Sequence, residues 1–101
     1  MSFDLYNTAL GIALDKGILM NHIKLLFFAT IRDRAGTKSL ELDVPQDLTV
    51  QGLKDKLSTD FPNLKESMSS VLITINREYA FDDAIISQNA EIGMFPPVSG
   101  G

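Results

Sequence analysis

The chain has 101 residues, 45% of them hydrophobic and 22% charged, with a formal net charge of −4; this is the size and make-up of one small globular domain. It contains no cysteine, which excludes disulfide scaffolds, thiolate-held zinc or iron–sulfur sites and a cysteine nucleophile. Its 9 lysines and arginines are scattered, so no basic stripe exists to neutralise the phosphates of a nucleic acid.

Met1–Leu19 differs in pattern from the rest of the chain. Phe3, Leu5, Tyr6, Leu10, Ile12, Ala13 and Leu14 form a loosely helical pattern, broken at Gly11 and closed near Gly17. Two readings stand: a short helix covering part of the domain, or an upstream, flexible extension with Met20 as the effective start. No basic region precedes these apolar residues, as a secretory signal requires. No apolar run approaches the ~20 residues of a membrane span. Both points favour the cytoplasm and no membrane partner.

Ile23–Ala29 reads as a largely buried strand. Of its adjacent aromatics Phe27 and Phe28, one must face outward. His22 lies just before this strand, and one histidine cannot build a metal site alone. Thr30–Thr37 is read as a polar connection. Ser39–Val44 alternates, with Leu40, Leu42 and Val44 inward and Ser39, Glu41 and Asp43 outward. Strands this close in sequence pair most simply as an antiparallel hairpin, and Pro45 ends the second. Asp47 or Thr49 can cap the next element. Val50, Leu53 and Leu57 then mark one helix face, with Gln51, Lys54, Asp55 and Lys56 on the solvent side and an end near Asp60, before Pro62.

Asn63–Ser70 is a turn or short helix. Val71–Asn76 is a strand, Asn76-Arg77-Glu78 a turn, and Tyr79–Phe81 a short return. Asp82-Asp83 reads as a solvated acidic turn rather than a metal pair. Asn89 suits a positive φ before the last strand, Glu91–Phe95. The order β-β-α-β-β-β is the β-grasp arrangement: an α+β fold with a mixed sheet and one main helix packed on one face. The first and last strands, the most continuously apolar, are expected to pair in parallel at the sheet centre. The domain then spans 20–95, between the extension 1–19 and a flexible Gly-Gly tail, 96–101.

That tail reads Phe95-Pro96-Pro97-Val98-Ser99-Gly100-Gly101. Adjacent prolines fix φ, remove two donors and favour extended backbone. Gly100 and Gly101 offer the least cross-section a polypeptide can have. The segment beyond Pro97 reaches roughly 14 Å when extended, enough to carry a carboxylate into another protein's cleft.

These features together resemble a known family. Ile23-Lys24-Leu25-Leu26-Phe27-Phe28-Ala29, with Arg32 and Gly36-Thr37 after it, closely resembles the opening of the molybdopterin synthase small subunits. The ending Phe-Pro-Pro-Val-Ser-Gly-Gly is similar to that family's terminal signature, and Asn76 matches a family position. The resemblance runs from His22 to Gly101. It implies a ubiquitin-like sulfur carrier whose Gly101 carboxylate is adenylated by a ubiquitin-activating-type adenylyltransferase using ATP and magnesium. A sulfurtransferase system then makes the thiocarboxylate. The loaded tail enters the large synthase subunit, in a heterotetramer, and gives sulfur to cyclic pyranopterin monophosphate. No cofactor is expected on this chain itself, and the catalytic residues are expected in the large subunit.

The resemblance also implies site residues. Gly101 is the reactive terminus, with Pro97, Val98, Ser99 and Gly100 threading the partner channel. Phe28, Arg32, Tyr79 and Phe95 face partners, Phe95 both sealing the core and shouldering the tail exit. Arg32 is otherwise a solvated charge, and Tyr79 stands where the family more often has an aliphatic residue. Ser87-Gln88-Asn89-Ala90-Glu91 departs from the family's acidic Asp-Gly-Asp type of turn, and Met1–Leu19 is an atypical addition. Two alternatives share the terminal chemistry: a carrier for thiamine or another sulfur pathway, and a ubiquitin-like modifier joined to lysines.

Overall fold

The computed structural model describes residues 19–98. The expected extension over 1–18 and the tail residues Ser99, Gly100 and Gly101 lie outside the described residues. Strands β1 (Met20–Phe27), β2 (Ser39–Pro45), β3 (Leu72–Ile75), β4 (Glu78–Tyr79) and β5 (Glu91–Phe95) form one sheet in the order β2-β1-β5-β3-β4. β1 pairs antiparallel with β2 and parallel with β5, and β5 pairs antiparallel with β3. The expected parallel pairing of first and last strands is therefore present, in a β-grasp sheet.

One face of the sheet carries the core. Ile23, Leu25 and Phe27 of β1, Ile73 of β3, and Ile92 and Met94 of β5 are buried there. They meet Val50, Leu53 and Leu57 of helix α2 (Val50–Asp60), with Leu64 and Met68 from two short 3-10 turns, Pro62–Leu64 and Ser67–Ser69. Thr49 is the N-cap of α2, its Oγ1 accepting from Gly52 N at 3.1 Å. This satisfies one of the orphan donors of the first turn.

Three expectations change. Thr30–Thr37 is not merely a connection, because Ala29–Ala35 forms a seven-residue helix, α1, between β1 and β2. Ile31 buries its side chain in the core, and Gly36 ends the helix at φ 77, a left-handed conformation that glycine adopts without a Cβ penalty. β1 begins earlier and ends sooner than Ile23–Ala29, and its burial alternates instead of running continuously, since only one sheet face is covered. Lys54 is not on the solvent side of α2. It is 9% exposed, and its Nζ donates to Asp82 Oδ1 at 2.6 Å. Its aliphatic stem covers apolar surface while the ammonium reaches a partner at the edge.

The long segment leading into β5 is held by two asparagines. Asn21, 1% exposed, donates from Nδ2 to Ser87 O at 2.9 Å and accepts at Oδ1 from Asn89 N at 2.7 Å. Asn76 Oδ1 accepts from Glu91 N at 2.9 Å, and Asn76 N donates to Glu91 O at 2.8 Å. Asn89 takes the expected positive φ, 56°. Replacing Asn21 by Ala would leave the part-buried Asn89 N without its side-chain acceptor. The expected loss is about 1–3 kcal/mol in urea unfolding; an unchanged midpoint and slope would contradict the clamp.

Candidate functional site

The face of the sheet opposite the helix is uncovered by any described element, and the register decides what it displays. Leu26 of β1 stands beside Gly93 of β5, which stands beside Thr74 of β3, which stands beside Tyr79 of β4. Gly93 has no Cβ, and the Thr74 hydroxyl and the Phe95 ring close over it in place of a side chain. Along the row runs an open groove of about 460 Å³ lined by Leu26, Phe28, Thr74, Arg77, Tyr79, Glu91, Gly93 and Phe95.

The groove has an aromatic end and a charged end. At the first, Phe28 and Phe95 stack with ring centroids 4.4 Å apart and planes within 2°. Phe28 is 38% exposed and Tyr79 76% exposed. Single exposed apolar side chains are ordinary, but here three aromatics line one concavity. At the second end, Arg77 Nε lies 3.9 Å from Glu91 Oε1.

The structure thus brings Phe28, Tyr79 and Phe95 together and settles which of the paired aromatics faces out: Phe27 is core and Phe28 is surface. Phe95 does not seal the core as expected. In β5, Ile92 and Met94 point to the helix side, so the two-residue period sends Phe95 to the open face, where it is half-buried. Arg32 lies on α1, exposed, and does not line the groove.

The tail leaves from the same end of β5. Pro96 and Pro97 border a cleft formed with Thr30, Ile31, Arg34, Glu66, Ser67 and Ser70. Val98 is 82% exposed. Ser99, Gly100 and Gly101, the remaining expected threading and reactive residues, lie outside the described residues.

Sequence reasoning missed Leu26, Thr74, Arg77, Glu91 and Gly93 as groove residues. One signal was present: a glycine inside an apolar strand marks close approach of another group. Among the described residues, no group of three or more His, Asp or Glu side chains stands together as a metal site. Asp82 of the acidic pair is instead the partner of Lys54.

His22, on the open face of β1, is flanked by two carboxylates. Its Nδ1–H donates to Asp43 Oδ1 at 2.7 Å and its Nε2–H to Glu41 Oε1 at 2.8 Å. Ionised carboxylates only accept, so this arrangement favours the doubly protonated imidazolium. The hydrogen bond to Glu41 and then that to Asp43 raise the His22 pKa above its ordinary 6.5, and His22 in turn lowers that of Glu41 below 4.5.

The chain matches the ThiS family over residues 25–101. It is 40% identical over 79 residues to the molybdopterin synthase sulfur carrier subunit of Arabidopsis thaliana, covering 78% of this chain and 82% of that protein. Among solved structures it resembles the small archaeal modifier protein 1 of Haloferax volcanii, at 29% identity and TM-score 0.68, covering 80% of this chain and 100% of that one. It also shares its fold with a chain from the complex of subunits 1 and 2 of the molybdopterin-converting factor of Helicobacter pylori, at 20% identity and TM-score 0.57, over 79% of this chain and 99% of that one.

This geometry can be tested at Gly93 and at His22. A Cβ on Gly93 would stand 2.5 Å from Thr74 Oγ1 and 2.9 Å from Phe95 Cε1. Gly93→Ala is therefore expected to displace the Phe95 ring, losing about 1–3 kcal/mol in denaturant unfolding and the ring-current shifts of the Phe28–Phe95 stack. Unperturbed aromatic resonances would contradict the close approach. For His22, a raised folded-state pKa stabilises fully below the unfolded value near 6.5 and is lost as pH rises through the folded one. The lowered Glu41 pKa sets the acid limit, its contribution fading as pH falls below about 4.5. At low salt, the stability gap between the unaltered chain and His22→Gln should be widest from pH ~5 to ~6.5 and close at alkaline pH. A gap independent of pH would exclude the charged cradle.

Proposed function

The chain belongs to the ThiS family as a sulfur carrier subunit of the molybdopterin synthase kind, and we propose that the carboxyl group of Gly101 carries the sulfur while the groove docks the folded body on its partners. The observation that carries this reading is that the aromatic end of the groove and the tail meet at the end of β5, with Phe95 in the groove and Pro96-Pro97 directly after it.

The chemistry explains the terminus. A carboxylate is a poor acyl electrophile, since its charge is delocalised and oxide is a poor leaving group. Attack by a Gly101 carboxylate oxygen on the α-phosphorus of ATP expels pyrophosphate and forms an acyl-adenylate. Hydrosulfide delivered by the sulfurtransferase then attacks the carbonyl carbon, expels AMP and loses its proton, leaving a thiocarboxylate. This chain has no cysteine to hold the sulfur, so the terminus itself holds it. The adenylyltransferase, the sulfurtransferase and the large synthase subunit supply the base, the magnesium and the acceptor, cyclic pyranopterin monophosphate. Pro97 and Val98 begin the stem, and Ser99 and Gly100 complete it. Phe28, Tyr79 and Phe95 anchor the body, aromatics being favoured in the centres of interfaces.

A second reading draws support from the likeness to an archaeal modifier protein: the activated Gly101 carbonyl is attacked by a lysine amine and forms an isopeptide. The Phe-Pro-Pro-Val lead into Gly-Gly favours this carrier over one for thiamine.

Incubation with the adenylyltransferase, ATP, magnesium and a sulfide source should raise the intact mass by the difference between one sulfur and one oxygen, and removal of Gly101 should abolish the gain without altering the fold. Sulfur uptake by the shortened chain would overturn the terminal-carboxyl mechanism. Adducts on protein lysines in place of the thiocarboxylate would favour the modifier.

A further inference from the structure

Asn76 and Arg77 are the two residues of the turn joining β3 to β4, with φ of 50° and 74°. Positive φ at both places is the mark of a type I′ turn, in which glycine is the favoured second residue. Asn76 suits its place, because asparagine enters the left-handed region readily and its side chain ties the turn to Glu91. Arg77 does not. A Cβ in the left-handed region costs about 1 kcal/mol, and nothing inside the described fold offsets it. The Arg77 side chain is 90% exposed, and 3.9 Å from Nε to Glu91 Oε1 is beyond hydrogen-bond range. Exposed pairs of this kind contribute little.

What the strained conformation does achieve is position. Arg77 stands at the charged end of the groove, across its floor from Leu26 and Phe28. Glu91 is 39% exposed to Arg77's 90%, so the outermost charge at that end is cationic. The two-residue turn demands the positive φ but not an arginine to adopt it, and residues costly in their conformation gather where a chain meets its partners. A guanidinium presents a planar fork matched to a carboxylate, and it binds one bidentately.

We propose that Arg77 is a specificity-determining anchor of the groove: it takes a carboxylate on the large synthase subunit, beside an apolar side chain of that subunit seated in the groove against Leu26, Tyr79 and the Phe28–Phe95 stack. This rests on the reading of the groove as the docking surface. On a chain of net charge −4, a cation beside an apolar seat rewards an acidic group only in the correct register and rejects a basic one.

The test compares the unaltered chain, Arg77→Gly, Arg77→Glu and Phe28→Ala by calorimetric titration with the large synthase subunit, and by thermal unfolding. Arg77→Gly should melt higher by about 4 °C, since glycine relieves the turn. It should nonetheless bind about tenfold more weakly, by a margin that narrows as salt is added. Arg77→Glu should bind more weakly still. Arg77→Gly binding at full strength while Phe28→Ala is impaired would overturn the anchor and leave the docking surface standing. Full-strength binding by Phe28→Ala as well would overturn the docking surface itself. A melting point for Arg77→Gly equal to or below that of the unaltered chain would overturn the argument from strain.

Discussion

The parallel pairing of β1 with β5 is the constraint on which the other features rest. It seats Lys24 through Phe27 against Glu91 through Met94, and Phe28 N extends it by donating to Met94 O at 3.1 Å. A strand near the carboxyl end is thereby placed in the middle of the sheet, with β3 on its other side. Ile92 and Met94 are wholly buried beneath it. The tail therefore departs from one of the most restrained parts of the molecule rather than from a fraying edge. The same pairing brings Phe28 alongside Phe95 and so builds the aromatic end of the groove. Stem and docking surface are held in fixed relation by one set of backbone hydrogen bonds.

A sheet with helices on one face must leave the other available, and the division of labour obeys the two-residue period of each strand. Inward residues make a core with α2. Outward residues make a groove at the tail end and a charged patch toward the start of β1. The loop segments are trimmed to serve this plan. Lys54 and Asp82 tie α2 to the segment after β4, Asn21 and Asn76 tie the segment before β5, and α1 fills the space beside the tail with Ile31. Among the described residues, positive φ values outside glycine are confined to element ends and junctions: Ala29 at the start of α1, Asn76 and Arg77 between β3 and β4, Asn89 before β5. Only at Arg77 does a long charged side chain occupy such a place.

Much of this is readable from residue order. The alternation of Ser39–Val44, the spacing of Val50, Leu53 and Leu57, the Thr49 cap and the turn at Asn89 each depend on contacts within a few residues, and each is present. Helix α1 is silent in the sequence because a seven-residue helix with one buried side chain has no periodicity to display. Lys54 is misplaced by a helical wheel because its partner Asp82 lies 28 positions away, outside the helix altogether. The groove is half legible. A family likeness points to Phe28, Tyr79 and Phe95, whereas Leu26, Thr74, Arg77 and Gly93 join them only through the strand register. Phe95 departs from its expected place for the same reason, since its face depends on which β5 neighbour turns toward the helix.

A carboxyl-borne sulfur is most directly tested by altering that group and nothing else. Semisynthesis can end the chain in a carboxamide at Gly101, keeping every side chain, the groove and the stem. Measured with the activating enzyme, ATP and a sulfur source, the amide should bind with unchanged affinity yet acquire no sulfur, because no carboxylate oxygen remains to attack ATP. Sulfur acquired at the rate of the free acid would contradict the terminal carboxyl as the working group.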